Sequence, residues 1–449
     1  MKHVHLVGIG GSGLSAIARI LLERGYEVSG SDRSLSPQAL ELAKAGVRIF
    51  VGHAAEQAAG ADLVVRSSAI PDQNPEVLEA RRLGIPVMKR QEFLEMLLQG
   101  QACIAVAGTH GKTTTTAMIA WMLTALEQDP SFLIGGVSTN LGVNAHAGKG
   151  AYFVIEADEY DGMFLGLQPQ IAVITNIEHD HPDCYPTPES YSEAFLKFAL
   201  RLRPGGLLVV STEDPGIGEL LKALGSDLRL QTYSLEGLEI KASETGALET
   251  RVKGIHLSLQ VPGMHNLRNA LAALAVAAEL GLPGQQAADA LGVFRGTGRR
   301  FELRGEQGGV TVIDDYAHHP TEIRATLAAA RLRYPGKRLW AVWQPHTYSR
   351  TRLLFQEFAT AFDYADFVLV TDIYAARESQ PQDGFSSSQV ARAIATRASG
   401  EVFYLPTLPQ AQDFLFERLA PGDVLLVLSA GDADSISSAV ISHFQHRLH

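Results

Sequence analysis

Gly108-Thr109-His110-Gly111-Lys112-Thr113 packs the most chemistry into the fewest residues. The segment follows the apolar run Cys103–Ala107 and opens a helical pattern over Thr114–Leu126. A glycine-bounded loop between a strand and a helix lets backbone amides approach phosphate oxygens. The lysine then reaches the β- and γ-phosphates, and the threonine hydroxyl ligates Mg²⁺. The full phosphate-loop pattern has a glycine five residues before Gly111, where Val106 stands, so this is a shortened form. ATP hydrolysis or transfer with Mg²⁺ is the chemistry these residues predict.

Gly8-Ile9-Gly10-Gly11-Ser12-Gly13 matches G-x-G-x-x-G between another strand and helix, and Asp32 ends the next strand. Glycines there let the backbone turn tightly against a diphosphate, and the acid can accept from ribose hydroxyls. A nicotinamide cofactor and a UDP-sugar are equally permitted, and so is a tight turn with no ligand. Glu156-Ala157-Asp158-Glu159 follows the strand Tyr152–Ile155, where a phosphate-loop protein holds its metal, although solvated loops also carry such acids. Asn176-Ile177-Glu178-His179-Asp180-His181 follows the strand Ile171–Thr175, and supplies either metal and phosphate ligands or a polar loop with capping histidines. Arg299-Arg300, Asp314-Asp315, His318-His319 and Arg350 sit after strand or turn signals, as anion clamps or as surface charge.

These loops need strands to position them. At 449 residues the chain is long enough for about three domains. Short apolar runs alternate with helical patterns throughout, which predicts α/β architecture with parallel sheets. The expected boundaries are 1–98 for a Rossmann-like domain, 99–297 for a central phosphate-loop ATPase-type α/β domain, and 298–449 for a second Rossmann-like domain. Strands are expected at 3–7, 26–31, 47–51, 62–66 and 85–88 in the first. Residues 229–261 alternate apolar and polar, as in half-exposed antiparallel strands.

Composition narrows the partners. Lys plus Arg total 38 and Asp plus Glu 49, a net charge of −11, which argues against nucleic acid and anionic membrane. Hydrophobic residues are 46 % and charged residues 19 %, too apolar for disorder. No apolar run approaches the roughly 18 residues of a membrane span, and the N-terminus enters a strand at once. The two cysteines, Cys103 and Cys184, make neither a metal pattern nor a disulfide framework. A cytoplasmic protein is expected.

Taken together, the motifs resemble the Mur ligases of peptidoglycan synthesis. The resemblance rests on Gly108 to Thr116, Glu156 to Glu159, Thr175 to Glu178 with Asp180-His181, and His265-Asn266-Leu267-Arg268-Asn269-Ala270. Gly296-Thr297-Gly298-Arg299-Arg300-Phe301-Glu302, Asp314 to Glu322 and Gln344 to Arg350 extend it over essentially the whole chain.

The resemblance implies ATP-driven joining of L-alanine to the carboxylate of UDP-N-acetylmuramate through an acyl phosphate. It places the sugar nucleotide in the first domain, with Gly10, Gly11, Ser12 and Gly13 at the diphosphate and Asp32, His53, Ser67 and Ser68 around nucleotide and sugar. It places ATP on Gly108, Thr109, His110, Gly111, Lys112, Thr113 and Thr114, one Mg²⁺ on Thr113 and Glu156, and a second on His181. His265, Asn266 and Asn269 stand at the adenine, with Arg300 and Asp315 reaching the nucleotide. Lys112, Glu156, His181, His318 and Arg350 make the catalytic set: His318 is a candidate base and Arg350 pairs the alanine carboxylate. A monomer or weak homodimer is implied, with domain closure needed to bring the ligands together.

Thr347 stands where some members carry arginine, and Ala317 where others have lysine. Lys197 lies at a distance from His181 that suits the carbamoylated lysine of several members. A ligase adding a peptide or another amino acid, an NAD-binding oxidoreductase with an attached ATPase, and a nucleotide-gated binding protein are the alternatives. Folylpolyglutamate synthases share the central plan but not the Gly8–Gly13 domain.

Overall fold

A computed structural model describes residues 2–225, 228–243 and 246–446. The chain divides into two compact units. One comprises Met1–Glu178, Pro188–Ser234 and Leu271–Ala290; the other comprises His179–Thr187, Leu235–Ala270 and Leu291–His449.

The first unit contains two sheets. β1 (His3–Val7), β2 (Glu27–Asp32), β3 (Arg48–Val51), β4 (Leu63–Arg66) and β5 (Val87–Lys89) form a parallel sheet in the order β3-β2-β1-β4-β5. The order reverses between β1 and β4, so the crevice beyond their C-terminal ends is where such a sheet takes a ligand. The Gly8 loop follows β1 and Ser67 follows β4.

The second sheet contains β6 (Ala102–Ala107), β7 (Ser131–Leu133), β8 (Ala145–His146), β9 (Tyr152–Glu156), β10 (Ile171–Ile174), β11 (Leu207–Ser211) and β12 (Arg229–Tyr233). Their order is β12-β11-β10-β6-β9-β7-β8, parallel except for β8. β6 lies between β9 and β10, so its phosphate-loop segment emerges between Glu156 and the Thr175-Asn176 turn.

The second unit holds β13 (Lys241–Ala242), β14 (Leu248–Val252) and β15 (Ile255–Leu259) as an antiparallel sheet. It also holds β16 (Glu302–Gln307), β17 (Val310–Asp315), β18 (Leu339–Gln344), β19 (Phe367–Val370), β20 (Glu401–Tyr404) and β21 (Val424–Ser429). Their order is β16-β17-β21-β18-β19-β20, with β16 alone antiparallel. Every residue of β18 is buried because both faces are covered. Ala341 and Trp343 pack into one core cluster, and Trp340 and Val342 into the other. That two-sided burial explains the unbroken apolar runs in the sequence.

The α/β architecture with mostly parallel sheets matches the expectation, and the strands that were expected fall within a residue or two of observed ones. The stretch 229–261 differs in part. Arg229–Tyr233 pairs parallel to β11 as a sheet edge, where one-sided exposure gives the same alternation as an antiparallel strand. The helix expected from Thr114 begins at Lys112, directly after Gly111 in the left-handed region at φ +81°. No helix of the described residues is long and apolar enough to cross a membrane.

Candidate active site

In the first unit the loop after β6 is held by its neighbours before any ligand arrives. Gly108 has φ +136°, and a Cβ there would collide with Thr175 Oγ1, so only glycine lets the loop lie against the end of β10. Thr175 Oγ1 donates to the His110 carbonyl at 2.6 Å, and the His110 amide donates to Asn176 Oδ1 at 2.9 Å. The His110 ring meets Glu178 Oε2 at 2.9 Å.

Lys112 Nζ donates to the Gly108 and Thr109 carbonyls at 2.5 and 3.0 Å and to Glu159 Oε1 at 2.9 Å. Burial works to lower its pKa, but Glu159, Asp158 and Glu156 outweigh that and raise it, so the ammonium stays charged. Asp158 moves up, chiefly through burial and then repulsion from Glu159. Thr113 Oγ1 donates to Glu156 Oε1 at 2.9 Å, while Glu156 Oε2 accepts from the Gly135 amide at 2.6 Å. Two hard oxygen donors thus stand together beside the buried Glu159, a donor set that fits Mg²⁺. Lys197 lies on an exposed helix face, paired with Glu193 at 2.8 Å, an ordinary surface ion pair rather than a buried carbamate setting.

At the first sheet, the Gly10 amide donates to Asp32 Oδ2 and Ser36 Oγ donates to the Gly10 carbonyl, both at 2.9 Å. Asp32 therefore shapes the glycine loop as well as being available to a ribose. Gly11 starts the helix Ser12–Glu23 with no side-chain cap, which leaves the first amides open to an anion. Ser67 sits beside Gly8; Ser68 is exposed.

An open cavity of about 590 Å³ runs from Ser12, Gly13 and Arg90 past Leu94, Met163 and Phe164 to Glu156 and Asp158. The Arg90 guanidinium lies over Gly13, so close that a Cβ there would collide with it. Its nearest charge is Asp158 at 3.8 Å, and it donates no hydrogen bond to any described residue. Sequence reasoning missed Arg90. Five donors turned into a cavity and left unused mark an anion position.

The second unit gathers the remaining candidates in two groups. His265, Asn266 and Asn269 lie in the first turns of the helix Met264–Glu279. Burial lowers His265 to about 4, with Arg268 next; the opposing effect of Glu322 and the further lowering by Arg300 show both charges to be near. Arg300 contacts Glu322 at 3.5 Å and lies over the Tyr316 ring at 5.1 Å. Asp315 is 7 % exposed, and accepts from the Phe301 and Ala317 amides and from Thr326 Oγ1. Burial raises it to about 6. Its oxygens pin the turn after β17, so the residue shapes the site from beneath.

The other group is centred on Arg350. Its Nε donates to Asp180 Oδ1 at 2.7 Å and its Nη1 to His346 Nδ1 at 3.0 Å; Arg350 and Asp180 are each 4 % exposed. Burial works to raise Asp180, but Arg350, His181 and His318 outweigh it and hold the carboxyl well below its usual range. His181 sits one residue on with φ +54°, its amide bonded back to Asp180 at 2.7 Å. Thr347 Oγ1 caps the helix Tyr348–Leu353, and Ala317 is fully buried.

The His318 Nδ1–H donates to the Tyr316 carbonyl at 2.9 Å, which leaves Nε2 with its lone pair. Burial pushes His318 down to about 3, with Arg350 adding to the shift. A ring that resists protonation to that degree is a weak general base near neutrality and a good hydrogen-bond acceptor.

The comparisons fit this geometry. The chain matches the families described as Mur ligase family, catalytic domain, over residues 3–102; Mur ligase middle domain over 106–277; and Mur ligase, glutamate ligase domain, over 299–431. It is 44 % identical to a UDP-N-acetylmuramate–L-alanine ligase of Desulforamulus reducens, over 99 % of this chain and 98 % of that one. It is 47 % identical to that of Rubrobacter xylanophilus, over 96 % and 97 %. Among solved structures, UDP-N-acetylmuramate-alanine ligase of Thermotoga maritima superposes with a TM-score of 0.83 at 30 % identity, covering 100 % of both chains. A murein peptide ligase of Psychrobacter arcticus gives 0.69 at 25 %, covering 99 % of each. The chain belongs to the Mur ligase family.

Proposed function

We propose that the protein joins L-alanine to the carboxylate of UDP-N-acetylmuramate at the expense of ATP, releasing ADP and phosphate, as a step of peptidoglycan precursor synthesis. The observation that carries this reading is the match to UDP-N-acetylmuramate–L-alanine ligases over 96–99 % of the chain. The geometry supplies the parts such a reaction needs.

A carboxylate is a poor electrophile because oxide cannot leave. In the first step a carboxylate oxygen attacks the γ-phosphorus, the β–γ bridge breaks, and ADP departs with the bridging oxygen. In the second step the alanine ammonium gives up one proton to free its lone pair, the nitrogen attacks the acyl carbon, the carbon–oxygen bond to phosphate breaks, and a second proton leaves the nitrogen as the amide forms. Lys112, charged and fixed at the loop, stabilises negative charge on the transferring phosphoryl group. Thr113 and Glu156 would hold Mg²⁺, which supplies charge neutralisation to the phosphates.

Arg90 and the first amides of Ser12–Glu23 hold the sugar nucleotide at one end of the cavity, and Glu156 stands at the other. The apolar side chains between them take the sugar. His318 Nε2 accepts a hydrogen bond from the amine and orients its lone pair; the proton passes to solvent. Arg350, with Nη2 uncommitted to Asp180 or His346, pairs the alanine carboxylate.

A peptide-adding reading draws on the 32 % identity to a ligase of Neisseria named for L-alanyl-γ-D-glutamyl-meso-diaminopimelate, over 67 % of this chain. The acceptor experiment at the end of the Discussion separates the two. The chemical route is tested by oxygen transfer: with ¹⁸O in the muramoyl carboxylate, the released phosphate carries one ¹⁸O atom. Unlabelled phosphate overturns the acyl-phosphate route.

A further inference from the structure

A chain of polar groups crosses the otherwise apolar interior of the five-stranded sheet. His3 and His5 lie two apart on β1, with Ser29 and Ser31 two apart on β2, so period-two alternation turns all four to one face. Glu76, in the first turn of the helix Pro75–Arg82, is fully buried among them. His53 follows β3 by two residues. Apolar neighbours such as Val7, Val64, Val77 and Ala80 fill the same domain's core.

The hydrogen-bond donors can be counted. His3 Nδ1 faces the Gly60 carbonyl at 3.1 Å and so must carry hydrogen. His3 Nε2 and His5 Nδ1 both meet Ser29 Oγ, at 2.7 and 2.8 Å, and one hydroxyl can donate to only one of them. His5 Nε2 meets Glu76 Oε2 at 2.5 Å. Satisfying every contact therefore takes one proton more than a carboxylate and two neutral imidazoles provide. Burial works to raise Glu76, but the bonds from His5, Ser31 and His53 outweigh it and hold its carboxyl below the ordinary value. Glu76 is therefore the acceptor in its contact with His5 Nε2.

The other carboxylate oxygen is directed outward. Glu76 Oε1 accepts from Ser31 Oγ at 2.7 Å and from His53 Nδ1–H at 2.6 Å. That fixes the tautomer and ring orientation of His53, whose Nε2 is buried and has no hydrogen-bond partner among the described residues. The Gly52 amide beside it donates to the carbonyl of Asp32, the same residue that grips Gly10 of the glycine loop. His53 therefore stands at the C-terminal edge of the sheet, next to the loop that receives the diphosphate.

We propose that Glu76 is a positioning residue: backed by His5, it holds His53 so that Nε2 meets a phosphate oxygen of the sugar nucleotide. With Nδ1–H held by the carboxylate, a phosphate oxygen arriving at Nε2 places an acceptor on each side of the ring, so in the bound state the ring bridges the two anions through a hydrogen on each nitrogen. A buried carboxylate with three donors is costly to assemble in an apolar core, and orienting the one ring nitrogen left open repays that cost in function. The inference rests on the sugar-nucleotide reading of the first sheet.

Steady-state kinetics on the full chain tests it. His53→Asn is expected to raise the KM for UDP-N-acetylmuramate tenfold or more, with kcat within threefold and the KM for ATP unchanged. Glu76→Gln should do the same, and the double variant should be no worse than His53→Asn alone. Additive losses, or an unchanged KM in Glu76→Gln, overturn the proposal. If Glu76→Gln does not fold, the wild-type imidazole ¹⁵N resonances decide: UDP should shift His53 Nε2 while Nδ1 stays protonated, and uridine should not. An Nδ1 without hydrogen, or an equal shift with uridine, contradicts the phosphate contact. Failure of the underlying reading looks different: UDP then moves no resonance, and turnover ignores the sugar nucleotide.

Discussion

At the residue scale the ion pairs decide what each candidate can do. Lys112 is tethered by three acceptors and charged, so Lys112→Ala is expected to cut ADP formation by a thousandfold or more while leaving UDP binding intact. Calorimetric titration with UDP beside a turnover assay checks both halves. Gly13→Ala would displace the Arg90 guanidinium, the far end of a flexible side chain. Its expected signature is an unchanged melting temperature with a tenfold to hundredfold rise in the KM for the sugar nucleotide, the range of a hydrogen bond to a charged group at roughly 1.5–3 kcal/mol. An unchanged KM would remove Arg90 from the site.

His318 carries a pH signature. Its native pKa, about 3, lies below the unfolded value of 6.5, so between those limits the unfolded chain binds a proton that the native chain refuses. Stability therefore falls as pH drops from 6.5, by at most about 1.4 kcal/mol per pH unit from this group. His318→Asn should gain on the wild type over pH 6.5 to 4 in urea titrations. A constant difference between the two contradicts the buried-neutral assignment. The pairings that sequence reasoning overlooked share one cause. Glu159 binds a lysine 47 positions away, Glu76 a histidine 71 away, and Asp180 an arginine 170 away. No local pattern carries such a pairing.

At the element scale, strand and turn chemistry were largely legible. The runs Cys103–Ala107, Ile171–Thr175, Leu339–Trp343 and Phe367–Val370 announce buried parallel strands because both faces are covered. Very short strands and exposed edge strands leave no such mark: Ser131–Leu133 has three residues, and Glu302–Gln307 pairs with one neighbour and has no fully buried residue. The glycines after β6 were legible in type but not in contact. Gly108→Ala combines a φ of +136° with a collision against Thr175, whose hydroxyl is already committed to the His110 carbonyl. Loss of nucleotide binding together with a melting temperature lower by several degrees is expected. Wild-type binding in that variant would show that the loop reaches phosphate in some other way.

At the scale of the whole molecule, motif order along the chain pointed to the family before any contact was known, and the family matches cover the same span. What the order could not show is how the parts are held. The five-stranded sheet uses a buried histidine–glutamate chain, the seven-stranded one a lysine locked to acids, and the six-stranded one an arginine shared between Asp180 and His346. Joining an amino acid to the sugar nucleotide at the expense of ATP is one coupled reaction, so activity should require every substrate at once. The direct measurement is ADP formation with ATP and Mg²⁺, omitting UDP-N-acetylmuramate or L-alanine in turn. Turnover that needs both, with one ADP per alanine incorporated, is the predicted result. ADP formed with the sugar nucleotide and a tripeptide but not with alanine, or formed with neither, would contradict it.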